Sequence, residues 1–417
     1  MRRKLFFLFL GAVLVALVAG EVGLRVFEGP LELRQSYRWL VDTHLIDIPW
    51  EAFVARQDRI QAIRRRLGME RGRSDPNFGH TYNPGFQIDI EGTEWGRGSR
   101  MPYAELHIHI NSHALRGEEF PEAKPPGEIR IMAIIGSTTA GEEVGEEETY
   151  PAQLEGLLRA RLEGRQIRVI NAGIPSYNVK NALLDYALRL HRFEPDFVMI
   201  FHGINDLYYH RAPGLAITAK RNYSGREVSP FVFQGDAPLQ PWWESVVAGV
   251  NDLANRSHLT QRLSWRWRTI TARLAEPLSS PNVEGIETYA AYYRALLRQI
   301  KASGAVPLVM TTPIAYPGSF DAADRVKVEN SFRIWLRGQN IPLPVGAKIV
   351  DAMNRALLEL GREEGARVID VAGLLPRDRE NFLDVCHFTR EGNRRIAEAL
   401  AGDLVPAIGQ RRRGESR

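Results

Sequence analysis

The 417-residue sequence has one cysteine, Cys386, and no strong excess of charge. A single thiol excludes an intrachain disulfide and a cysteine-based zinc cluster, so the compartment has to be inferred from other features. The net charge of +4 is small for this length and gives no argument for nucleic acid as a partner. No G-x-G-x-x-G follows an apolar run and no HExxH occurs, which argues against a dinucleotide-binding fold and a zinc protease.

One long apolar run is present, from Leu5 to Gly20, directly after Arg2, Arg3 and Lys4. Basic residues before an apolar run are typical of a signal peptide or a membrane anchor. The run is slightly shorter than the roughly 20 residues that span a bilayer, so cleavage and a buried core helix remain alternatives. We expect residues 1–28 to be an uncleaved anchor. By the positive-inside rule, a single-pass protein would then carry the residues after the anchor on the periplasmic or extracellular side.

Residues 29–127 show no long periodic pattern and are interpreted as a stalk and a small β-rich accessory region. Within them, residues 106–110 alternate strictly, which predicts a half-buried strand with His107 and His109 on one face. His113 lies close in sequence, so we considered a metal site. Two histidines on the solvent face of a strand are the simpler interpretation, and we predict no metal.

Residues 128–408 alternate short apolar runs with helical patterns, which predicts a parallel sheet covered by helices on both faces. The predicted strands lie at 131–135, 167–173, 196–203, 305–313 and 367–371. An insertion at 208–282 interrupts this alternation, and residues 409–417 are predicted to be a disordered basic tail. The insertion contains four of the eight tryptophans, Trp242, Trp243, Trp265 and Trp267, which suit sugar stacking or a membrane surface, although a surface helix packed on its own domain is the simpler interpretation of its second part.

Polar residues follow the predicted strands at four places, where ligand sites of such sheets collect. The four segments are Gly136-Ser137-Thr138-Thr139, Asn171-Ala172-Gly173, Gly203-Ile204-Asn205-Asp206 and Asp384-Val385-Cys386-His387. The first segment lacks the lysine of a phosphate-binding loop, and two glutamates, Glu142 and Glu143, follow it instead. In the last segment, the spacing lets the carboxylate reach the imidazole Nδ1 and leaves Nε2 free to take a serine proton.

In this order and spacing, the four segments resemble the SGNH hydrolases, also called GDSL-like esterases and lipases. The resemblance covers roughly residues 128 to 405 and implies a three-layer α/β/α fold of the SGNH, flavodoxin-like kind. One departure is that Gly136 stands where the family has an aspartate.

The resemblance implies a serine esterase in which Ser137 is the nucleophile, His387 the general base and Asp384 the orienting acid. It also implies that the oxyanion is held by the backbone N–H groups of Ser137 and Gly173 and by the Asn205 side chain. No cofactor is needed, and the expected partner is an ester-bearing small molecule, glycan or lipid of the cell envelope. An O-acyltransferase using the same triad and a catalytically silent binding protein remain alternatives.

Overall fold

A computed structural model of the protein describes residues 72–75, 79–90, 106–201, 204–210, 220–221, 227–228, 278–316 and 341–415. Within these ranges, no helix is long and apolar enough to cross a membrane. The predicted anchor at residues 1–28, most of the predicted stalk and the four tryptophans of the insertion lie outside the described residues.

The strands fall into one central sheet and three small hairpin-like pairs. In chain order they are β1 (Gly72–Asp75), β2 (Gly79–Tyr82), β3 (Gln87–Ile90), β4 (Leu106–His109), β5 (Glu128–Ile135), β6 (Gln166–Gly173), β7 (Phe197–Phe201), β8 (Lys220–Arg221), β9 (Glu227–Val228), β10 (Val306–Met310) and β11 (Arg367–Ile369). The pairs β1–β2, β3–β4 and β8–β9 are antiparallel. Each of the five strands predicted in the α/β region is present within two or three residues of its expected place.

The central sheet has five parallel strands in the order β11-β10-β7-β5-β6. The first strand of the sheet in sequence, β5, therefore lies between the second, β6, and the third, β7. This is the 2-1-3-4-5 order of doubly wound folds, whose connections leave β5 in opposite directions and open a crevice between β5 and β7. The prediction of a parallel α/β sheet is confirmed, and its topology locates where a ligand site would lie.

Seven α-helices are described, and two groups of them pack on the sheet. They are α1 (Ser137–Ala140), α2 (Tyr150–Arg161), α3 (Val179–Leu188), α4 (Val283–Ala302), α5 (Leu343–Glu363), α6 (Val371–Leu374) and α7 (Arg390–Glu415). Helices α2 and α7 pack against each other, while α4 packs against both α3 and α5. Because β7 is buried along its whole length, the helices cover both faces, which gives a three-layer α/β/α arrangement.

The helices begin where side chains satisfy their first N–H groups. Thr149 accepts the N–H of Ala152 at the start of α2, and Asn282 accepts that of Glu284 at the start of α4. At the start of α3, Asn178 and Asn181 each accept the other's N–H, a reciprocal cap. Tyrosines and leucines at helical spacing form the buried face of α4.

The accessory segment from Gly79 to Phe120 is continuous with the α/β domain rather than attached beside it. Its large apolar side chains belong to the same hydrophobic core as the sheet: Tyr82, Phe86, Ile108, Ile110, Leu115 and Phe120. The backbone of Arg116 also pairs with Asn171 of β6, so the segment covers the edge of the central sheet. Ile108 is buried and His109 half-buried, as the alternating pattern predicted.

The C-terminal helix α7 continues to Glu415 and so includes the basic run from Arg411, which we expected to be disordered. The earlier part of the helix is anchored, since Leu400, Leu404 and Ile408 are buried. Arginine, glutamine and glutamate are good helix formers, so a helix already begun by packing continues through them at little cost.

Candidate active site

Ser137 lies at the carboxyl edge of the sheet, where β5 turns into helix α1. The residue at the end of β5, Ile135, has a φ of 100°, which a β-branched side chain rarely adopts. Its carbonyl oxygen accepts the N–H of Ile174 at 2.6 Å, so a hydrogen bond from the segment that follows β6 holds this strained turn. Gly136 is the N-cap and Ser137 the first residue of α1. The crevice between β5 and β7 therefore carries the predicted nucleophile.

Asp384 and His387 lie on one tight turn that faces Ser137. The Oδ1 atom of Asp384 accepts the backbone N–H groups of Cys386 and His387, each at 2.8 Å. Its Oδ2 atom lies 2.7 Å from His387 Nδ1, and His387 Nε2 lies 2.8 Å from Ser137 Oγ. The network assigns the tautomer: Nδ1–H donates to Asp384, and Nε2 accepts from the serine hydroxyl. Three predicted residues, from two segments distant in sequence, thus form one hydrogen-bonded series.

The charges around His387 raise the pKa of its imidazole. Burial by itself would lower the pKa of His387, but the negative charge of Asp384 and that of Glu143 raise it well above its ordinary value. Burial would likewise raise the pKa of Asp384, but the charge of His387 and hydrogen bonds from His387 and Cys386 lower it. Asp384 is therefore held as a carboxylate, a group that can orient an imidazole and stabilise its cation.

Glu143 is a second carboxyl group beside the imidazole, on the side opposite Asp384. Its Oε1 atom lies 3.6 Å from His387 Nε2, and its side chain is 20% exposed. Burial raises the pKa of Glu143, while the charge of His387 lowers it. Glu143 counted in the sequence only against a phosphate-binding loop and was not predicted as a site residue. The signal was present in the sequence, since two acidic residues follow the nucleophile segment within one short loop.

In the structure, glycine is needed at position 173 for a reason that was not predicted. Its backbone N–H, expected to hold an oxyanion, donates instead to Asn171 Oδ1 at 3.1 Å. A Cβ atom at Gly173 would lie 2.2 Å from the backbone nitrogen of Ala140. Glycine is therefore required because the end of β6 packs directly beneath helix α1. The oxyanion role of Gly173 stays a prediction, since its N–H already has a partner within the protein.

Asn205 lies beside the nucleophile turn, as predicted. Its Nδ2 atom donates to the carbonyl oxygen of Tyr177 at 2.8 Å. The same Nδ2 atom would be 3.3 Å from a Cβ atom at Gly136, closer than such atoms normally approach. Glycine at position 136, the departure from the usual aspartate, therefore makes room for the amide. Gly203, the first residue of this predicted segment, lies outside the described residues.

A turn from Ile174 to Tyr177 lies beside Gly136 and Asn205, and it was not predicted from the sequence. The N–H of Tyr177 donates to Ile174 O at 3.2 Å, with Pro175 at the second position and Ser176 at the third. Ser176 has a φ of 66°, the left-handed conformation that a type II turn requires at its third position, where glycine is usual. Because serine stands where glycine is usual, Pro175 alone indicated a turn in the sequence.

The loop after α1 is held by Arg116 of the accessory segment. The guanidinium is buried and donates to the carbonyl oxygens of Ala140 at 2.6 Å, Gly141 at 2.5 Å and Val144 at 2.9 Å. These carbonyls lie at and after the C-terminus of α1, where a cation is favoured. Arg116 therefore positions the loop that carries Glu143.

Other residues of the accessory segment hold both loops of the site. Tyr82 Oη donates to Glu142 at 2.9 Å, and the N–H of His109 donates to Glu146 at 3.0 Å. On the other side, His80 Nε2 lies 2.7 Å from Pro175 O, and Tyr177 Oη donates to His80 O at 2.7 Å. The segment predicted to be accessory is thus part of the framework of the site.

Metal binding finds little support in the described part of the chain. The one group of candidate ligands there is Asp384, Cys386 and His387, whose ligand atoms lie within 4.8 Å of one another. Burial raises the pKa of Cys386 to about 11, which keeps the thiol protonated and a poor ligand. His113, considered earlier, lies with its Nε2 atom 2.7 Å from Phe120 O and packs on the Phe120 and Phe193 rings.

The sequence profile of the GDSL-like Lipase/Acylhydrolase family matches residues 136–395, more than half of the chain and all four predicted segments. The chain belongs to this family. As a GDSL-like acylhydrolase it is an enzyme that hydrolyses esters, which confirms the predicted activity class. No curated protein sequence matches it significantly.

Solved structures similar to this GDSL-like enzyme share little sequence with it. LAE5, an alpha/beta hydrolase enzyme from the metagenome of Lake Arreo, Spain, is 16% identical, with 66% of this chain and 96% of that one covered and a TM-score of 0.37. Axe2, an acetylxylan esterase from Geobacillus stearothermophilus, is 16% identical, with 65% and 92% covered and a TM-score of 0.36. A putative lipolytic protein of the G-D-S-L family from Desulfitobacterium hafniense DCB-2 is 13% identical, with 65% and 97% covered and a TM-score of 0.36.

Proposed function

We propose that the chain is a serine esterase in which Ser137 attacks the ester carbonyl, His387 moves the proton and Asp384 orients the imidazole. The observation that carries the proposal is the continuous series of hydrogen bonds from Asp384 through His387 to Ser137. Family membership supplies the reaction class, and this series supplies the groups that perform it.

In this mechanism His387 Nε2 takes the Ser137 proton as Oγ attacks, and the imidazolium then gives it to the departing alcohol. Water resolves the acyl-enzyme by the same route in reverse. The backbone N–H of Ser137 and the Asn205 side chain are the proposed oxyanion donors, each worth about 3 kcal/mol of barrier. Asn205 must turn from Tyr177 O to act, or donate its second amide hydrogen.

The experiment compares the full-length protein, purified in detergent, with Ser137→Ala. We expect wild type to hydrolyse p-nitrophenyl acetate and butyrate and to be labelled by a fluorophosphonate. The alanine variant should lose label and turnover, on the order of 10⁶-fold. Ser280→Ala, in an exposed position, is the matched control and should behave as wild type. Labelling of Ser137→Ala at the wild-type rate would assign the nucleophile elsewhere.

For the natural setting, we propose a membrane-anchored enzyme that faces the periplasm or cell exterior and acts on esters of envelope carbohydrate or lipid. The support is the basic and apolar N-terminus, Arg2 to Gly20. In a Gram-negative host, the protein should stay with membranes through an alkaline carbonate wash, and added protease should reach the catalytic domain in spheroplasts. Release by carbonate, or protection from the protease, would contradict this placement.

A further inference from the structure

Glu143 occupies a place that the proposed mechanism does not use. Its Oε1 atom is 3.6 Å from His387 Nε2, and Ser137 Oγ is 2.8 Å from the same nitrogen. Asp384 lies at the other ring nitrogen, Nδ1, so two carboxyl groups flank one imidazole. The Glu143 side chain is 20% exposed, which leaves it open to groups that arrive from solvent.

The backbone holds this carboxyl group in position. Gly141, with a φ of 64°, ends helix α1, and its N–H donates to Ser137 O at 2.8 Å. Val144 is buried and donates its N–H to Gly141 O at 3.1 Å, while the carbonyls of both residues accept from Arg116. Glu143 therefore lies on a short loop that is tied at both ends to the helix carrying Ser137.

A group that approaches His387 Nε2 during the reaction also approaches Glu143. In an acyl transfer by Ser137, Nε2 gives its proton to the oxygen of the leaving group, which must come within hydrogen-bond reach of that nitrogen. A carboxyl group 3.6 Å from the same nitrogen then lies within one or two bonds' reach of the substituents on the leaving group. Among the described residues, His387 is the one basic side chain within ion-pair distance of Glu143. An anionic substituent on the leaving group is repelled by this carboxylate, whereas a hydroxyl group can donate a hydrogen bond to it.

We propose that Glu143 is a specificity-determining residue that excludes esters with an anionic leaving group and favours those whose leaving group carries neutral hydroxyls, as saccharides do. The inference rests on the serine mechanism proposed above. It narrows the substrate class, since phosphate-bearing and carboxylate-bearing alcohols are disfavoured on the leaving-group side. Two like charges about 6 Å apart near a protein surface repel enough to change kcat/KM by tenfold to roughly a hundredfold.

The test uses two aryl acetates that differ in charge and little in shape, 3-carboxyphenyl acetate and 3-carbamoylphenyl acetate. The full-length enzyme should hydrolyse the carboxamide ester with a kcat/KM at least about tenfold higher than the carboxylate ester. Glu143→Gln should bring the two values within about threefold of each other while still hydrolysing the carboxamide ester. Glu147→Gln removes the same charge from an exposed position of the same loop and should keep the wild-type ratio.

Each outcome decides between the two proposals. Turnover of both esters at equal kcat/KM by wild type, or an unchanged ratio in Glu143→Gln, overturns the role of Glu143 and leaves the serine mechanism standing. A ratio lost equally in Glu147→Gln would show a long-range effect of the loop's charge and also overturns it. Hydrolysis of neither ester by folded wild type, together with no fluorophosphonate label, overturns the proposed serine mechanism and this inference with it.

Discussion

The two segments that supply the proposed triad are held in different ways. The turn from Asp384 to His387 stabilises itself: Asp384 accepts the N–H groups two and three residues later, and Leu383 N–H donates to His387 O at 2.9 Å. The Ser137 turn has local bonds of its own, from Thr139 and Ala140 N–H to Gly136 O and from Gly141 N–H to Ser137 O, but residues distant in sequence also hold it. Arg116 holds the end of its helix, Gly173 leaves space beneath it, and Asn205 packs beside it.

The Asp384 to His387 turn is therefore held mainly by contacts between residues close in sequence, whereas the Ser137 turn also needs contacts between distant segments. A local turn is encoded by the spacing of Asp384 and His387, so changing its neighbours in space should matter little. The nucleophile turn depends on contacts across 21 to 68 positions of the sequence, from Arg116, Gly173 and Asn205 to Ser137. The following changes separate these two kinds of support.

Asp384→Asn should have the largest effect in this set, on activity and not on folding. An amide in place of the carboxylate favours the wrong imidazole tautomer and cannot stabilise the cation, so we expect kcat to fall about 10⁴-fold. The measurement is p-nitrophenyl acetate turnover, with thermal unfolding as a check of folding. Asp351→Asn, on the exposed side of α5, should keep full turnover. Retention of more than a tenth of kcat by Asp384→Asn would show that the carboxylate is not needed.

Gly173→Ala should have the next largest effect, now on stability. The added methyl group would lie 2.2 Å from Ala140 N and 2.6 Å from Thr139 C, so β6 and α1 must move apart. We expect a loss of about 3 kcal/mol in the free energy of unfolding, with slower fluorophosphonate labelling. In contrast, Gly156→Ala lies on exposed helix surface with no atom within 4 Å and should gain about 0.5 to 1 kcal/mol. Equal stabilities for the two variants would contradict the close packing.

Arg116→Gln tests the support that comes from the accessory segment. The shorter amide cannot reach all three carbonyls, and leaving buried acceptors unpaired costs about 2 to 3 kcal/mol. Denaturant unfolding measures this loss, and a lower labelling rate at Ser137 would show that the loop has shifted. Arg161→Gln, an exposed position in the last turn of α2, is the matched control with little expected change. No loss of stability in Arg116→Gln would remove the proposed positioning role.

The pH dependence of activity sharpens the comparison at His387 itself. The general base must be neutral, and although burial lowers the pKa of His387, the charges of Asp384 and Glu143 raise it well above its ordinary value. The ascending limb of kcat/KM against pH should therefore lie above pH 6.5, the ordinary value for histidine. Glu143→Gln removes one negative charge, so the limb should move to lower pH. A limb that stays in place would mean that Glu143 carries no charge in the free enzyme.

The smallest effect is expected at Cys386. Burial raises the pKa of its thiol to about 11, and the residue is only 4% exposed. Iodoacetamide at pH 8 should therefore label the unfolded protein and leave the native protein unlabelled. Cys386→Ala should keep turnover within a few-fold of wild type and cost about 1 kcal/mol of stability. Rapid labelling of the native thiol would show that this turn opens, against its local hydrogen bonding.

Much of the fold could be predicted, because the relevant signals are local. Unbroken apolar runs such as residues 131–135 require burial on both faces, and a turn needs only neighbours in sequence. The features that were not predicted depend on contacts across the chain. Gly173 was predicted as a donor because glycine lets the backbone approach a ligand, and its close approach to Ala140 is visible only after folding. Glu143 became a neighbour of His387 only when residues 244 positions apart met.

The sequence by itself determined the parallel α/β sheet, the membership of the four segments in one site and the Asp384 to His387 turn. Apolar periodicity and short-range hydrogen bonding need no distant partner, so they can be read along the chain. Only the tertiary structure decided that β5 lies between β6 and β7 and that residues 79–120 brace both loops of the site. These features come from packing between segments far apart in sequence. The same packing brings a second carboxyl group, that of Glu143, to the Nε2 side of His387.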